Sequence, residues 1–171
     1  MFSECYSLKS VDVFGWDTSN VTEMNFIFNN CMNLTYVDVS GWDTSKVTNM
    51  YGMFSNCMSL KSIDISNWDV SNVTNFGSMF NSCASLKSVI GGKDVSEVSP
   101  DPNKGPRYDF QIRFVPHLDR ESLLFIMEWL ADLTGQTQRT LSMYNGHKNL
   151  LTESELDIAR DKNWNLTFGG L

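Results

Sequence analysis

Four cysteines, Cys5, Cys31, Cys57 and Cys83, recur at a constant interval of 26 residues. Four thiols suffice for a zinc site or a pair of disulfides, but the even interval argues against both. Equivalent residues of a stacked repeat lie in a line, about 4.8 Å apart. Zinc needs its ligands to converge on one point, and a bridge between neighbours would distort the stack. The expectation is a ladder of free, buried thiols acting as small apolar fillers, with no metal and no cofactor.

Carboxylates repeat at the same interval. Asp17, Asp43, Asp69 and Asp94 stand in the phrases WDTS, WDTS, WDVS and KDVS. Calcium between coils would suit such a column, yet each copy offers one acid with no second beside it. Capping is the better reading, with each carboxylate accepting backbone N–H groups a few residues on. Asp12, Asp38 and Asp64 form another column, with Phe14 and Tyr36 beside them. They are expected mid-strand, facing outward and without a structural task. They are therefore candidate ligand-binding residues of an acidic stripe, with a merely solvated strand face as the alternative. Trp16, Trp42 and Trp68 are expected to wedge into the core or its edge, carbohydrate stacking being the minor alternative.

Catalytic signals are poor. The only histidines, His117 and His147, lie near no nucleophile motif, and no glycine-rich phosphate loop occurs. The chain is read as not an enzyme. A net charge of −7 and a pI near 4.7 disfavour nucleic acid as a partner, since affinity for phosphates comes mainly from Lys and Arg. No run of apolar residues is long enough for a membrane span, and the first residues lack the form of a signal peptide.

The elements that position these residues follow from the repeat. Its period of 26 residues is read before any local motif. Leu8, Leu34, Leu60 and Leu86 form one apolar column; Val11, Val37, Ile63 and Val89 form the next, followed by Val13, Val39 and Ile65. The phrase C-x2-L-x2-V-x-V alternates in and out as a strand does. Val21, Met24 and Phe28, spaced by three and four, suggest a short helical or irregular return segment. One unit cannot bury its apolar side alone, but stacked units can. The fold class expected is an α/β repeat solenoid: a leucine-rich-repeat right-handed coil with a parallel sheet on one face, closed by a helix-containing C-terminal cap.

The array is assigned to residues 1–99, decaying in KDVSEVS from Lys93 to Ser99. Residues 100–171 form the cap and continue the stack. SPDPNKGPR, from Ser99 to Arg107, is a loop. Tyr108, Phe110, Ile112 and Phe114 alternate with polar residues as a strand does, ended by Pro116. Asp119 caps a helix expected to reach about Leu133, with Gly135 as its stop. Thr152 and Glu155 make a capping box for a second helix, with Leu151 and Leu156 at the staple positions. RTLSM, starting at Arg139, and NWNLTF, starting at Asn163, read as strands.

MFSNCMSLKSIDISNWDVSNVTNFGSMF, from Met53 to Phe80, resembles the bacterial leucine-rich-repeat surface proteins called BspA-like, whose units read MF-x2-C-x-SL followed by WDTSNVT. The resemblance covers roughly residues 1 to 99. It implies a solenoid on the bacterial cell surface or outside the cell, associated with adhesion and binding of a host or neighbouring-cell protein or glycan. Met1 and Phe2 align inside a repeat, so the chain is expected to be a C-terminal piece of a longer protein, with its uncapped N-terminal edge available for self-association. The function read is a non-catalytic surface binding module using the sheet face; the alternative is a structural spacer or assembly module.

Overall fold

The computed structural model describes residues 1–90, 105–112 and 115–169. The repeat-end segment with Asp94, most of the proline-rich loop, and Phe114 at the end of the predicted strand lie outside these residues.

Successive repeats bond to each other through the main chain. β1 (Ser10–Val11) pairs in parallel with β2 (Tyr36–Val37), placing Ser10 opposite Tyr36 and Val11 opposite Val37. The third and fourth copies meet through a parallel bridge, Ser62 to Ser88, and an antiparallel one, Asp64 to Ile90. The pairing is thus much shorter than the V-x-V alternation suggests, because each strand bends away at the turn its aspartate caps.

A second line of pairing runs through Glu23, Asn49 and Asn75, again in parallel. Here the return segment is irregular, and no helix occurs in residues 1–90. Its N–H groups explain why. Met24, Phe26, Phe28 and Asn30 donate to the carbonyls of Asn49, Tyr51, Met53 and Ser55 at 2.8–3.0 Å, and the next copy repeats the pattern. Donors spent between repeats cannot close helical turns along the chain. Two positions per copy take left-handed backbone: Glu4, Asn30, Asn56 and Ser82 in one column, and Phe26, Gly52 and Ser78 in the other.

The side chains between these ladders form columns in the core. Phe28 stacks on Phe54 at 5.4 Å and 12°, and Phe54 on Phe80 at 5.8 Å and 8°. Trp68 is buried, Trp42 nearly so, and Trp16 half-exposed against Trp42 at 6.4 Å. Buried indole N–H groups need acceptors; Trp42 and Trp68 donate to the carbonyls of Val13 and Val39 one repeat back, at 3.4 and 3.0 Å.

The remainder is a β-α-β-α-β run. β3 (Phe110–Gln111), β4 (Arg139–Tyr144) and β5 (Trp164–Gly169) form a parallel sheet in that order. α1 (Arg120–Trp129) starts at Asp119, whose carboxylate accepts the Ser122 N–H at 2.9 Å. It ends at Trp129, short of the Leu133 expected. Leu130 already turns to extended backbone, and Gly135 takes its positive φ in a later turn. A short 3-10 helix (Asn145–Leu150) leads to α2 (Glu153–Asp161), where Thr152 and Glu155 form both bonds of the capping box.

This part packs directly on the repeats. The Asp119 N–H donates to the Lys87 carbonyl at 2.8 Å, the Val89 N–H to the Ser122 hydroxyl at 3.1 Å, and Phe76 meets the Phe110 ring edge-on at 5.4 Å. One apolar core runs from Val13 to Trp164.

Candidate functional site

Because Val11, Val13, Val37, Val39, Ile63 and Ile65 point inward or partly inward, the residues between them face out. Phe14 is 75% and Tyr36 57% exposed, unusual for large apolar side chains. Two adjoining hollows share Tyr36 and Asp38. One, of about 310 Å³, is completed by Ser10, Val11, Asp12 and Phe14; the other, of about 170 Å³, by Val37, Ser40, Ser62, Ile63 and Asp64. The fold thus gathers Asp12, Phe14, Tyr36, Asp38 and Asp64 on one face.

The expectation that these aspartates have no structural task is corrected. Asp12 Oδ1 accepts the Phe14 N–H at 3.0 Å. Asp38 Oδ1 accepts both the N–H and the hydroxyl of Ser40, at 3.1 and 2.6 Å, and Asp64 does the same with Ser66 at 3.0 and 2.6 Å. Each carboxylate closes the turn that follows its strand, giving the backbone a local partner in place of the sheet ladder. The signal was present in the residues. VDVS and WDTS contain the same D-x-S, so the second aspartate column should have been read like the first.

A carboxylate has two oxygens, and the turn occupies one. Asp12 and Asp38 make no further hydrogen bond or ion pair among the described residues, which leaves Oδ2 of each for a ligand. Asp38 and Asp64 are both half-buried, and Asp64 has an additional interaction. The side chains that can act on a partner are therefore the rings of Phe14 and Tyr36 and the outer oxygens of Asp12 and Asp38.

The other predicted columns are structural. Asp17, Asp43 and Asp69 each accept the N–H and hydroxyl of the serine two residues on, at 2.6–3.1 Å. The serine hydroxyl bond, and then the N–H bond, hold the Asp17 and Asp43 carboxyls below their ordinary pKa. Threonine ties the turns together: the Thr18 and Thr44 hydroxyls donate to the carbonyls of Asp43 and Asp69 in the next repeat, at 3.0 and 2.8 Å. Among the described residues, no three His, Cys, Asp or Glu side chains converge as a metal site would require.

The thiols are donors as well as fillers. Cys31, Cys57 and Cys83 point Sγ at the carbonyls of Phe2, Phe28 and Phe54 in the preceding repeat, at 3.1–3.2 Å, and all four cysteines are free. Burial pushes the Cys57 thiol far above its ordinary pKa and Cys83 up to about 12. Neither is a nucleophile at neutral pH, since the thiolate is the reactive form.

Residues 1–103 match the family described as Mycoplasma protein of unknown function, DUF285. The chain belongs to this family. No curated protein and no solved structure gives a significant match. The DUF285 segment contains the hollows with Phe14 and Tyr36 and the whole of the cysteine and aspartate columns. The whole β-α-β-α-β run lies beyond it.

Proposed function

We propose that the chain is a non-catalytic binding module of a bacterial surface protein, recognising a host or neighbouring-cell protein or glycan through the face that carries Phe14 and Tyr36. The observation that carries this reading is the pair of exposed rings set among aspartate oxygens that the fold leaves unused. Exposed aromatic rings are costly surface unless something covers them; fully burying one contributes roughly 1.5–3 kcal/mol. Acceptor oxygens at their rim suit a partner that presents cationic or hydroxyl donors.

The finer structural reading belongs here too. We take the repeats to be a right-handed leucine-rich-repeat coil of the BspA-like kind, displayed at the cell surface, and residues 100–171 to be its C-terminal cap. Support comes from main-chain bonds that join equivalent positions of successive copies and from the way Asp119 and Ser122 meet the carbonyl of Lys87 and the N–H of Val89. Those same regular bonds also favour the second reading, a stiff spacer or assembly module.

The experiment is capture of extracellular-matrix proteins and arrayed glycans by wild type and by two variants: Phe14→Ala with Tyr36→Ala, and Asp12→Asn with Asp38→Asn. Asparagine keeps an Oδ1 acceptor for each turn while removing the charge, so loss of capture would report recognition, not folding. A folded double-alanine variant that captures the same partners as strongly as wild type would eliminate the face as the site. Function that scales with the number of whole repeats, whatever their surface residues, would favour the spacer.

A further inference from the structure

A larger hollow, of about 700 Å³, opens between the repeats and the C-terminal sheet, where Ser71 meets Arg107, Tyr108, Gln136, Thr137 and Arg139. Its volume lies within the usual range of small-molecule sites, and its lining is unlike the acidic repeat face. We propose that this hollow binds an acidic saccharide, with Arg139 receiving the sugar carboxylate.

Arg139 is singled out by what it lacks. The chain has 20 acidic residues against 13 basic ones, and two other arginines of this region, Arg120 and Arg160, find carboxylates. Arg120 pairs with Glu121 and Glu155, and Arg160 with Glu153 and Asp157 at 3.1 and 2.7 Å. The Arg139 side chain makes no hydrogen bond or ion pair among the described residues; its guanidinium lies over the Tyr108 ring, 4.8 Å from the centroid. Asp109, the acid beside Tyr108, instead accepts the Thr140 N–H at 2.8 Å.

An arginine held over an aromatic face has a restricted guanidinium plane, while its edge N–H groups stay open. That planar fork matches a carboxylate, with two parallel hydrogen bonds. The remaining lining selects the body of the ligand. The Gln136 amide and the Thr137 hydroxyl make no side-chain hydrogen bond among the described residues, and the Ser71 hydroxyl donates to Asp69 but can still accept. Neutral donors and acceptors next to one cationic fork suit a hydroxyl-rich anion better than an apolar acid. Arg107 already has an interaction of its own and adds positive charge to the same hollow.

The test is an NMR titration of the ¹⁵N-labelled full chain with D-glucuronate, D-glucose and acetate, following the Arg139 Nε–H and the Gln136 side-chain amide. Glucuronate is expected to bind at least tenfold more tightly than either comparison ligand. Arg139→Gln is expected to weaken it at least tenfold with the melting temperature preserved, whereas Arg160→Gln, which removes a paired arginine, leaves it unchanged. Gln136→Ala, at an exposed position, provides a second variant with little risk to folding and should weaken glucuronate but not acetate. Equal affinity for glucose would overturn recognition of charge, and equal affinity for acetate would overturn recognition of a sugar. Wild-type binding by Arg139→Gln would overturn the site.

Discussion

The phenylalanine column offers a quantitative test of how the repeats hold together. Phe54 is 0% exposed and stacked on both sides, on Phe28 at 5.4 Å and Phe80 at 5.8 Å. Truncating a buried phenylalanine to alanine costs about 3–5 kcal/mol, and the loss of two ring partners places Phe54→Ala in the upper half of that range. Each stacked pair contributes about 0.5–1.5 kcal/mol beyond area burial. Phe54→Leu, which keeps most of the apolar volume and loses both stacks, should therefore cost about 1–3 kcal/mol. Phe2 is only half-buried, against Phe28 at 5.5 Å and Trp16 at 6.0 Å, so Phe2→Ala should cost about 1–2 kcal/mol by the area it covers. Urea denaturation followed by tryptophan fluorescence and by far-ultraviolet circular dichroism, with unchanged m-values, would give the three numbers. Against a domain stability of roughly 5–15 kcal/mol, Phe54→Ala removes a large share. A cost below about 1 kcal/mol, or one no larger than that of Phe2→Ala, would refute the column as a principal source of stability.

Asn56 holds left-handed backbone, with φ 62°, and donates to Asn30 Oδ1 at 2.8 Å. Asn56→Ala should cost about 1–3 kcal/mol and Asn56→Gly less, since glycine takes positive φ without a steric penalty; equal costs in denaturant melts would contradict this. With only Cys5 exposed among the four thiols, native protein should give one fast-reacting equivalent with dithionitrobenzoate and four once unfolded, and a second fast equivalent would show that the ladder opens readily. His147 is fully buried, accepting the Tyr144 N–H on Nδ1 at 3.3 Å and donating from Nε2 to the Val115 carbonyl at 3.0 Å, and burial lowers its pKa from 6.5. The unfolded chain takes up a proton near pH 6.5 that the folded chain refuses. The histidine's contribution is thus whole above that pH and falls as pH drops through it, by at most about 1.4 kcal/mol per unit. A melting temperature that changes equally with pH between 7 and 5.5 in wild type and in His147→Gln would exclude this residue as the cause.

Much of this molecule is written locally. The interval between Cys31 and Cys57 equals that between Leu34 and Leu60 and between Trp42 and Trp68, so their columns follow from the sequence alone. Phase alone puts equivalent residues of stacked copies in line. Thr152 and Glu155 marked the start of α2 for a similar reason, because a capping box is satisfied within one turn. Leu133 as the end of α1 failed because a helix stops where tertiary packing redirects the backbone: the Ala131 N–H goes to the Pro106 carbonyl, and the Leu133 N–H to Lys162. The return segment was ambiguous on the same grounds, since spacing by three and four cannot say whether an N–H bonds along the chain or to the next repeat.

For the candidate site, the residue types alone nominated Asp12, Phe14, Tyr36, Asp38 and Asp64 and put them on one face, through strand alternation. Only the fold decided what each can do. It spends one oxygen of Asp12, Asp38 and Asp64 on a turn, leaves the other open on Asp12 and Asp38, gives Asp64 a further interaction, and leaves Phe14 and Tyr36 in water. It also makes the hollow at Arg139, whose lining comes from Ser71, Tyr108 and Thr137. No periodicity links those positions, since they are brought together by how two differently built parts of the chain pack. A repeat announces every contact between equivalent residues, whereas a contact between unlike elements depends on their relative placement and leaves no interval to count.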